Sequence, residues 1–252
     1  MEVARTSLGL LVLAVVASVV PLVDGVHQAR AVAWSAGRGA VQLLTVGLVL
    51  GAVFRAPLAV LPLLAVMAVA ATATVTPRLA DLPVLGWWRR PAAVAVAVVT
   101  GATVTGTVVF ATGALPLGVR NVVALGGITL GGAMTASTLA GRRFLAELRS
   151  RRAEVEGKLA LGATMQQATG DLVRVAVGEA LVPALDQTRT TGLVTLPGAF
   201  VGALFGGASP LAAARFQLVV LVGLLAAESV AAVVLLRLLA AVPFLPMSTT
   251  EP

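Results

Sequence analysis

Six long apolar runs constrain this sequence more than any other feature. They cover residues 6–23, 34–54, 58–75, 92–111, 119–139 and 212–239. A helix of about 20 apolar residues crosses the ~30 Å hydrocarbon core of a bilayer. The runs consist mainly of Ala, Val, Leu and Gly, without the polar and apolar alternation of membrane-barrel strands. The sequence therefore predicts an all-α integral membrane protein, a polytopic bundle of transmembrane helices.

The composition supports a membrane location along the whole chain. Hydrophobic residues make up 58% of the 252 positions and charged residues 12%, whereas soluble domains have about 45–50% and about 25%. The mean hydropathy is +0.99. We expect residues 1–252 to form a single transmembrane domain. Run 6–23 could alternatively be a cleaved signal peptide, but it is long for one and only Glu2 and Arg5 precede it with charge.

A seventh span is expected over residues 184–205, bringing the total to about seven. Its clearly apolar part, 192–205, is only about 21 Å long as a helix, against a core of ~30 Å. This span must therefore borrow residues from 183–191, tilt little, or be partly re-entrant.

Residue types that carry catalysis are scarce in this chain. There is no cysteine and one histidine, His27, which removes iron–sulfur clusters and histidine-based metal sites. Lys158 is the only lysine, and no P-loop surrounds it. We therefore expect no enzymatic activity and no cofactor bound by this chain. Because the net charge of +7 comes from arginines that flank apolar runs, we expect a lipid bilayer and no nucleic acid as partner.

The basic residues predict an orientation. If seven spans alternate and the Arg-rich segment 142–158 is cytoplasmic, all but four of the 18 basic residues fall inside. The four outside are Arg5, Arg55, Arg120 and Arg215. This asymmetry predicts an N-out, C-in topology, and it persists when segment 142–158 is left out.

Charge is concentrated in residues 141–180, which follow the fifth span. Phe144, Leu145 and Leu148 have the spacing of one face of an amphipathic helix, and Glu147 and Arg151 are placed for an i,i+4 ion pair. Two interpretations stay open. The segment is either a solvated cytoplasmic extension of the fifth span or a docking region for a partner.

The stretch "EGKLALGA", residues 156–163, resembles the cytoplasmic loop of ABC-transporter permeases, in which Glu-Ala-Ala, three residues and Gly form a short helix. The spacing from Glu156 to Gly162 matches that pattern. The resemblance implies that the region 141–180 couples to a separate cytoplasmic ABC ATPase, which binds ATP and magnesium. The coupling residues are then Glu156, Gly157, Lys158, Leu161, Gly162 and Ala163.

Three further stretches are similar to the FetB-type permeases, an ABC family associated with iron export in bacteria and related to plant aluminium-tolerance permeases. They are "WSAGRGAVQLLTVG", "GGITLGGAMTAS" and "LVPALDQTRTTGLVTLPGAFVGALFGGASPLAAARFQ". The resemblance extends from about Trp34 to Leu239. It implies a permease subunit in the bacterial inner membrane that exports iron or a related metal.

Polar residues at membrane depth are candidates for the substrate pathway, because burying an ionisable group there costs about 2.5–3.5 kcal/mol. Asp186 and Arg189 share a helix face and form either a structural ion pair or part of a gate. Arg38 and Gln42 share a face of the second span, where Arg38 is either an interfacial anchor or a pathway residue. Pro197 is expected to interrupt a helix whose free carbonyl groups line a cavity. The remaining candidates are Glu179 and Glu228.

A metal cargo would need hard oxygen ligands, such as the carboxylates of Glu179, Asp186 and Glu228, with Met134 as a soft helper. The same three carboxylates suggest an alternative function, an ion-coupled secondary transporter that needs no ATPase. A membrane scaffold without cargo is a further possibility. Gly-x-x-x-Gly spacings such as Gly47–Gly51 and Gly127–Gly131 indicate close helix packing, within one subunit or across a homodimer.

Overall fold

A computed structural model describes residues 2–23, 25–80 and 88–241 of the chain. Nine α-helices and a 3₁₀ turn form within these residues, with no strand and one isolated bridge between Thr191 and Thr195. The chain divides into two compact units, Met1–Leu58 and Ala59–Pro252. The predicted all-α membrane fold is confirmed.

The first unit contains two helices packed against each other, α1 (Glu2–Val23) and α2 (Ala29–Val53). Both are long and apolar enough to cross a membrane. Gly25 turns the chain between them with a φ of 77°, a value that favours glycine.

The second unit contains the remaining seven helices. After the 3₁₀ turn Pro57–Ala59, they are α3 (Val60–Arg78), α4 (Arg89–Ala111), α5 (Val119–Ser150), α6 (Arg152–Ala160), α7 (Met165–Thr190), α8 (Gly198–Phe205) and α9 (Pro210–Ala240). Of these, α3, α4, α5 and α9 have the length and hydropathy of membrane spans. Six helices of the described residues therefore meet both criteria.

The core of the second unit lies where α9 packs against α4, α5 and α7. Its residues are mainly Ala, Val and Leu, including Val98, Ala136 and Leu235, all at most 1% exposed. Small residues let the helix backbones come close. A Cβ added at Gly101 of α4 would lie 2.5 Å from the carbonyl oxygen of Ala227 on α9.

Helix direction follows from these contacts. Gly223 and Glu228 of α9 lie beside Leu125 and Gly132 of α5, in the same order, so α5 and α9 run parallel. The first turns of α7 share a pocket with Arg237 near the end of α9, so α7 is antiparallel to α9. Since α7 has 26 residues, it is about 39 Å long. The chain returns along α7 between two parallel helices.

The segment predicted as a seventh span, 184–205, is not one helix. Helix α7 ends at Thr190, where Thr191 adopts an extended backbone with ψ of 130°. Gly192 then has a φ of 85°, and Pro197 precedes an α8 of only eight residues. Glycine in a left-handed conformation and proline both end helices. At about 12 Å, α8 is too short to cross the core.

Candidate functional site

Helix α6 carries the predicted coupling residues and is fixed to the second unit by its inner face. Val155 is fully buried and Leu159 packs against the core. The outer face is exposed at Glu156 and Gly157. Leu161, directly after the helix, is 90% exposed. The segment thus presents a single large apolar side chain at the tip of a well-anchored helix.

The backbone conformation of Gly162 explains why a glycine stands six residues after Glu156. It has a φ of 90° and stands two residues after the last residue of α6. Its N–H donates to the carbonyl of Leu159 at 2.9 Å, and the N–H of Ala163 donates to that of Lys158 at 3.0 Å. These two bonds make a Schellman motif, which requires a left-handed residue. Gly162 therefore ends the helix that carries Glu156.

An ion pair between Lys158 and Asp171 attaches α6 to α7. Lys158 Nζ lies 2.7 Å from Glu154 and 3.4 Å from Asp171 of α7. Hydrogen bonds from Lys158 and then from Arg151 lower the pKa of the Glu154 carboxyl from its ordinary 4.5. The bond to Glu154 likewise raises the pKa of Lys158 above 10.5. Separately, Glu156 pairs with Arg152 at 2.7 Å.

The predicted pair of Glu147 with Arg151 is wrong. Glu147 pairs with Arg143, one turn earlier, at 2.8 Å, and Arg151 pairs with Glu154. Arg151 stands at the break between α5 and α6, with φ −109° and ψ 27°. Its side chain therefore no longer follows the register of α5. The predicted amphipathic face is nevertheless present, since Phe144, Leu145 and Leu148 are buried.

Three of the predicted pathway residues lie on α7. Glu179 forms an ion pair with Arg143 of α5, with 2.8 Å between Oε2 and Nε. Asp186 and Arg189 are 3.8 Å apart, and both side chains are more than half exposed. The two residues do lie on one face, as their spacing predicts.

The other predicted residues are scattered. Arg38 and Gln42 are exposed on α2 and line a shallow pocket with Trp34 in the first unit. Pro197 caps the N-terminus of α8. Among the residues that the structure describes, no three His, Cys, Asp or Glu side chains come together as metal ligands.

Within the described residues, Glu228 of α9 is the only acidic side chain that is buried in the bundle, and 8% of its surface is exposed. It lies against Gly132 of α5, where an added Cβ would be 2.8 Å from its Oε1. Residues 92–111 of α4, 121–141 of α5 and 216–236 of α9 contain no other charged residue. No hydrogen bond or ion pair to Glu228 forms in the described part of the chain.

Sequence reasoning missed three neutral polar residues in the same helices. Thr105 of α4, Ser137 of α5 and Gln217 of α9 are at most 5% exposed. Thr105 Oγ1, Ser137 Oγ and Gln217 Oε1 have no hydrogen-bond partner in the described structure. Of these three residues, only Gln217 could have been noticed from the sequence, because it is an amide side chain within an apolar run.

Comparison with known proteins places the chain in a family. Residues 6–244 match the family described as "Uncharacterised protein family (UPF0014)". The chain belongs to the UPF0014 family. It is a multi-pass membrane protein, as its six apolar helices of membrane length indicate.

Several UPF0014 proteins are similar over most of their length. The "Probable iron export permease protein FetB" of Escherichia coli (strain K12) is 30% identical over 241 residues, which are 92% of this chain and 89% of that protein. The "UPF0014 membrane protein YjkA" of Bacillus subtilis (strain 168) is 32% identical, with 79% and 78% covered. The "UPF0014 membrane protein STAR2" of Oryza sativa subsp. japonica is 34% identical, with 79% and 69% covered. No solved structure matches the chain.

Proposed function

We propose that this protein is the membrane-spanning subunit of an ABC transporter that exports iron or a related metal. A separate ATP-binding subunit docks on α6 and supplies the energy. The observation that carries the proposal is the construction of α6, a short helix anchored by buried Val155 with Leu161 90% exposed at its tip. Leu161 and the exposed face at Glu156 and Gly157 leave this segment open to contact with a partner protein.

The resemblance to FetB-type permeases and the name of the Escherichia coli relative favour iron export. In this proposal the chain binds no cofactor, because ATP and magnesium belong to the partner subunit. The subunit works as a homodimer in the bacterial inner membrane. The coupling set is Glu156, Gly157, Lys158, Leu161, Gly162 and Ala163.

The proposed topology is N-out and C-in, with α6 in the cytoplasm. An odd number of crossings is needed for this topology, and six apolar helices alone would give an even number. Helix α7 supplies the seventh crossing in place of residues 184–205, because it runs back between the parallel helices α5 and α9. Its charges Glu179, Asp186 and Arg189 are then tolerated through pairing with Arg143 and with each other.

The test is binding and coupling of the ATPase. The ATP-binding subunit is identified by co-purification with the tagged chain, and its binding to variants is then measured in detergent. We expect Glu156→Arg and Leu161→Arg to lose the ATPase. The matched control is Arg215→Glu, a charge reversal of equal size and opposite sign near the start of α9, whereas the first turns of α7 lie beside the end of that helix. Full ATP-driven transport by Glu156→Arg would contradict the docking assignment.

Buried Glu228 keeps a second candidate function open, an ion-coupled secondary transporter. A secondary transporter that uses Glu179, Asp186 and Glu228 together has less support, since Glu179 is paired with Arg143 and Asp186 is exposed. Reconstitution of this chain alone separates the two functions. Metal transport driven by a proton gradient without any ATPase would favour the secondary transporter.

A further inference from the structure

A cavity of about 340 Å³ lies where the start of α7 meets the end of α9. This volume is within the range of ligand pockets, about 300–1,000 Å³. No residue of the proposed coupling set or of the predicted substrate pathway lines the cavity. Five of its lining residues are polar, and they are Gln166, Gln167, Asp171, Arg174 and Arg237.

The two arginines of this cavity are not equally compensated. Arg174 is paired with Asp171, and Asp171 also lies 3.4 Å from Lys158 of α6. The only carboxylate that lines the cavity therefore already faces two cations. Arg237 makes no hydrogen bond or ion pair with any residue that the structure describes. The cavity thus keeps a net positive charge, which favours an anionic ligand.

Arg237 marks the level of this cavity relative to the bilayer. Between Arg215 and Arg237, the only ionisable residue of α9 is the buried Glu228. Residues 216–236 make about 31 Å of helix, which matches the ~30 Å hydrocarbon core. Because Arg237 is the first residue beyond that length, the cavity lies at the level of the lipid headgroups.

Apolar side chains continue from both arginines toward the centre of the bilayer. On α9, Val233 stands four residues before Arg237 and is 41% exposed. On the antiparallel α7, Leu181 and Val182 follow seven and eight residues after Arg174, and Val182 is 47% exposed. Residues at these spacings lie on one face of a helix. A molecule with an anionic head and apolar chains fits this surface, whereas a water-soluble anion leaves its apolar part uncovered.

The donors of the cavity suit a phosphate group. Guanidinium groups bind phosphate oxygens through paired hydrogen bonds, and the side-chain amides of Gln166 and Gln167 add further donors. We propose that Arg174 and Arg237 hold the phosphate of one anionic phospholipid, whose acyl chains lie on the apolar faces beside them. In the proposed topology this end of the bundle is cytoplasmic, the side on which basic pockets between transmembrane helices bind anionic headgroups. The choice of leaflet rests on the proposed function, and the site itself does not.

Native mass spectrometry tests this site without requiring ATPase or transport. The full-length chain in detergent is titrated with phosphatidylglycerol, which is anionic, and with phosphatidylcholine, which has no net charge. We expect one phosphatidylglycerol per chain to bind at least about tenfold more tightly than phosphatidylcholine, because two arginines contribute. Equal affinities for the two lipids would overturn the proposal.

Substitution of the arginines locates the site. Arg237→Gln should weaken phosphatidylglycerol binding about fivefold, the effect of one arginine near anionic lipid. The double variant Arg174→Gln/Arg237→Gln should lose the preference for this lipid. The matched control is Arg215→Gln, which removes an exposed arginine near the other end of α9 and should leave the affinity unchanged. An equal loss in Arg237→Gln and Arg215→Gln would contradict the site.

A photoactivatable phosphatidylglycerol tests the unmodified chain, so that the result does not depend on the folding of a variant. The lipid carries a diazirine in its headgroup, and mass spectrometry locates the adducts. Adducts within residues 166–174 or 237–240 support the site. Adducts found only elsewhere contradict it.

Glycerol 3-phosphate distinguishes a lipid from a soluble phosphate, because it carries a phosphate group without acyl chains. It should bind the chain in detergent more weakly than phosphatidylglycerol does. Tighter binding that is lost in Arg237→Gln would assign the cavity to a soluble anion and overturn the lipid. A chain that binds no ATPase but still binds phosphatidylglycerol here would refute the proposed function and leave this inference standing.

Discussion

Glu228 of α9 and Gly132 of α5 are complementary: the carboxylate occupies the space that a side chain at position 132 would fill. An added Cβ would lie 2.8 Å from Oε1 of Glu228 and 2.2 Å from Cδ1 of Leu224. The position of the buried acid is therefore determined by a glycine on a different helix.

Gly132→Ala should displace the side chains of Glu228 and Leu224. Both clashes involve the ends of flexible side chains, so we expect a loss of about 1 kcal/mol in stability, at the low end for overpacking. Carbodiimide modification of Glu228 should change in rate. The control is Gly131→Ala, where nothing lies within 4 Å, and thermal unfolding in detergent compares the two. An equal melting temperature and an unchanged modification rate would refute the clash.

Gly101→Ala should be more harmful than Gly132→Ala. The added Cβ would meet the backbone carbonyl of Ala227 at 2.5 Å, and backbone cannot rotate out of the way as a side chain can. We expect a loss of about 3 kcal/mol, the upper end for overpacking, measured by thermal unfolding. Gly106→Ala on the same helix has open space around it and should be neutral or slightly stabilising. Comparable melting temperatures for the two variants would contradict the close packing of α4 on α9.

The ion pairs that Glu154 makes with Arg151 and Lys158, which order α6, should be insensitive to pH around neutrality. The pKa of Glu154 is lowered from 4.5, so its contribution is complete above about pH 4.5 and is lost as the pH falls further. The pKa of Lys158 is raised from 10.5, so its contribution is complete below about pH 10.5 and is lost as the pH rises further. A nitroxide on Ala153→Cys should stay immobile between these limits and become mobile in acid.

Lys158→Met should mobilise the same nitroxide at every pH, because it removes the cation between Glu154 and Asp171. Arg174→Gln is the matched control, since it removes a different partner of Asp171. An immobile label in Lys158→Met would show that the packing of Val155 and Leu159 fixes the helix without the ion pair.

Gly162→Ala should loosen the end of α6. The φ of 90° is a conformation that a residue with a Cβ adopts at a cost of about 1–2 kcal/mol. The last turn of α6 should fray, and binding of the ATPase should weaken by about 5- to 30-fold. Gly178→Ala, in a helical and open position of α7, should leave binding unchanged. If both variants bind the ATPase with equal affinity, Gly162 has no role in docking.

The sequence predicted features that depend on local periodicity. Apolar runs located the helices of membrane length, and the spacing of Phe144, Leu145 and Leu148 identified a face that is buried. Contacts between distant segments have no such signal. The pair of Arg143 with Glu179 joins residues on two helices, and nothing in either local sequence indicates it.

Segment 184–205 shows what the sequence can predict and what it leaves open. Pro197 was expected to interrupt a helix there, and the chain is indeed interrupted, because α7 ends before Gly192 and Pro197 stands at the start of α8. Helix α7 is long enough to cross a membrane, but its charged residues lower its hydropathy. A hydropathy value does not show whether charged residues are paired. Thr105 and Ser137 escaped notice because hydroxyl residues in helices ordinarily bond their own backbone.

The length of α5 has a mechanical consequence. Its 32 residues make a rod of about 48 Å, which exceeds the hydrocarbon core by about 18 Å. The end that carries Phe144 and Leu148 is continuous with the part that holds Gly132 against Glu228. In the proposed transporter, a force that the ATPase applies to this end would therefore reach Glu228 through one continuous helix.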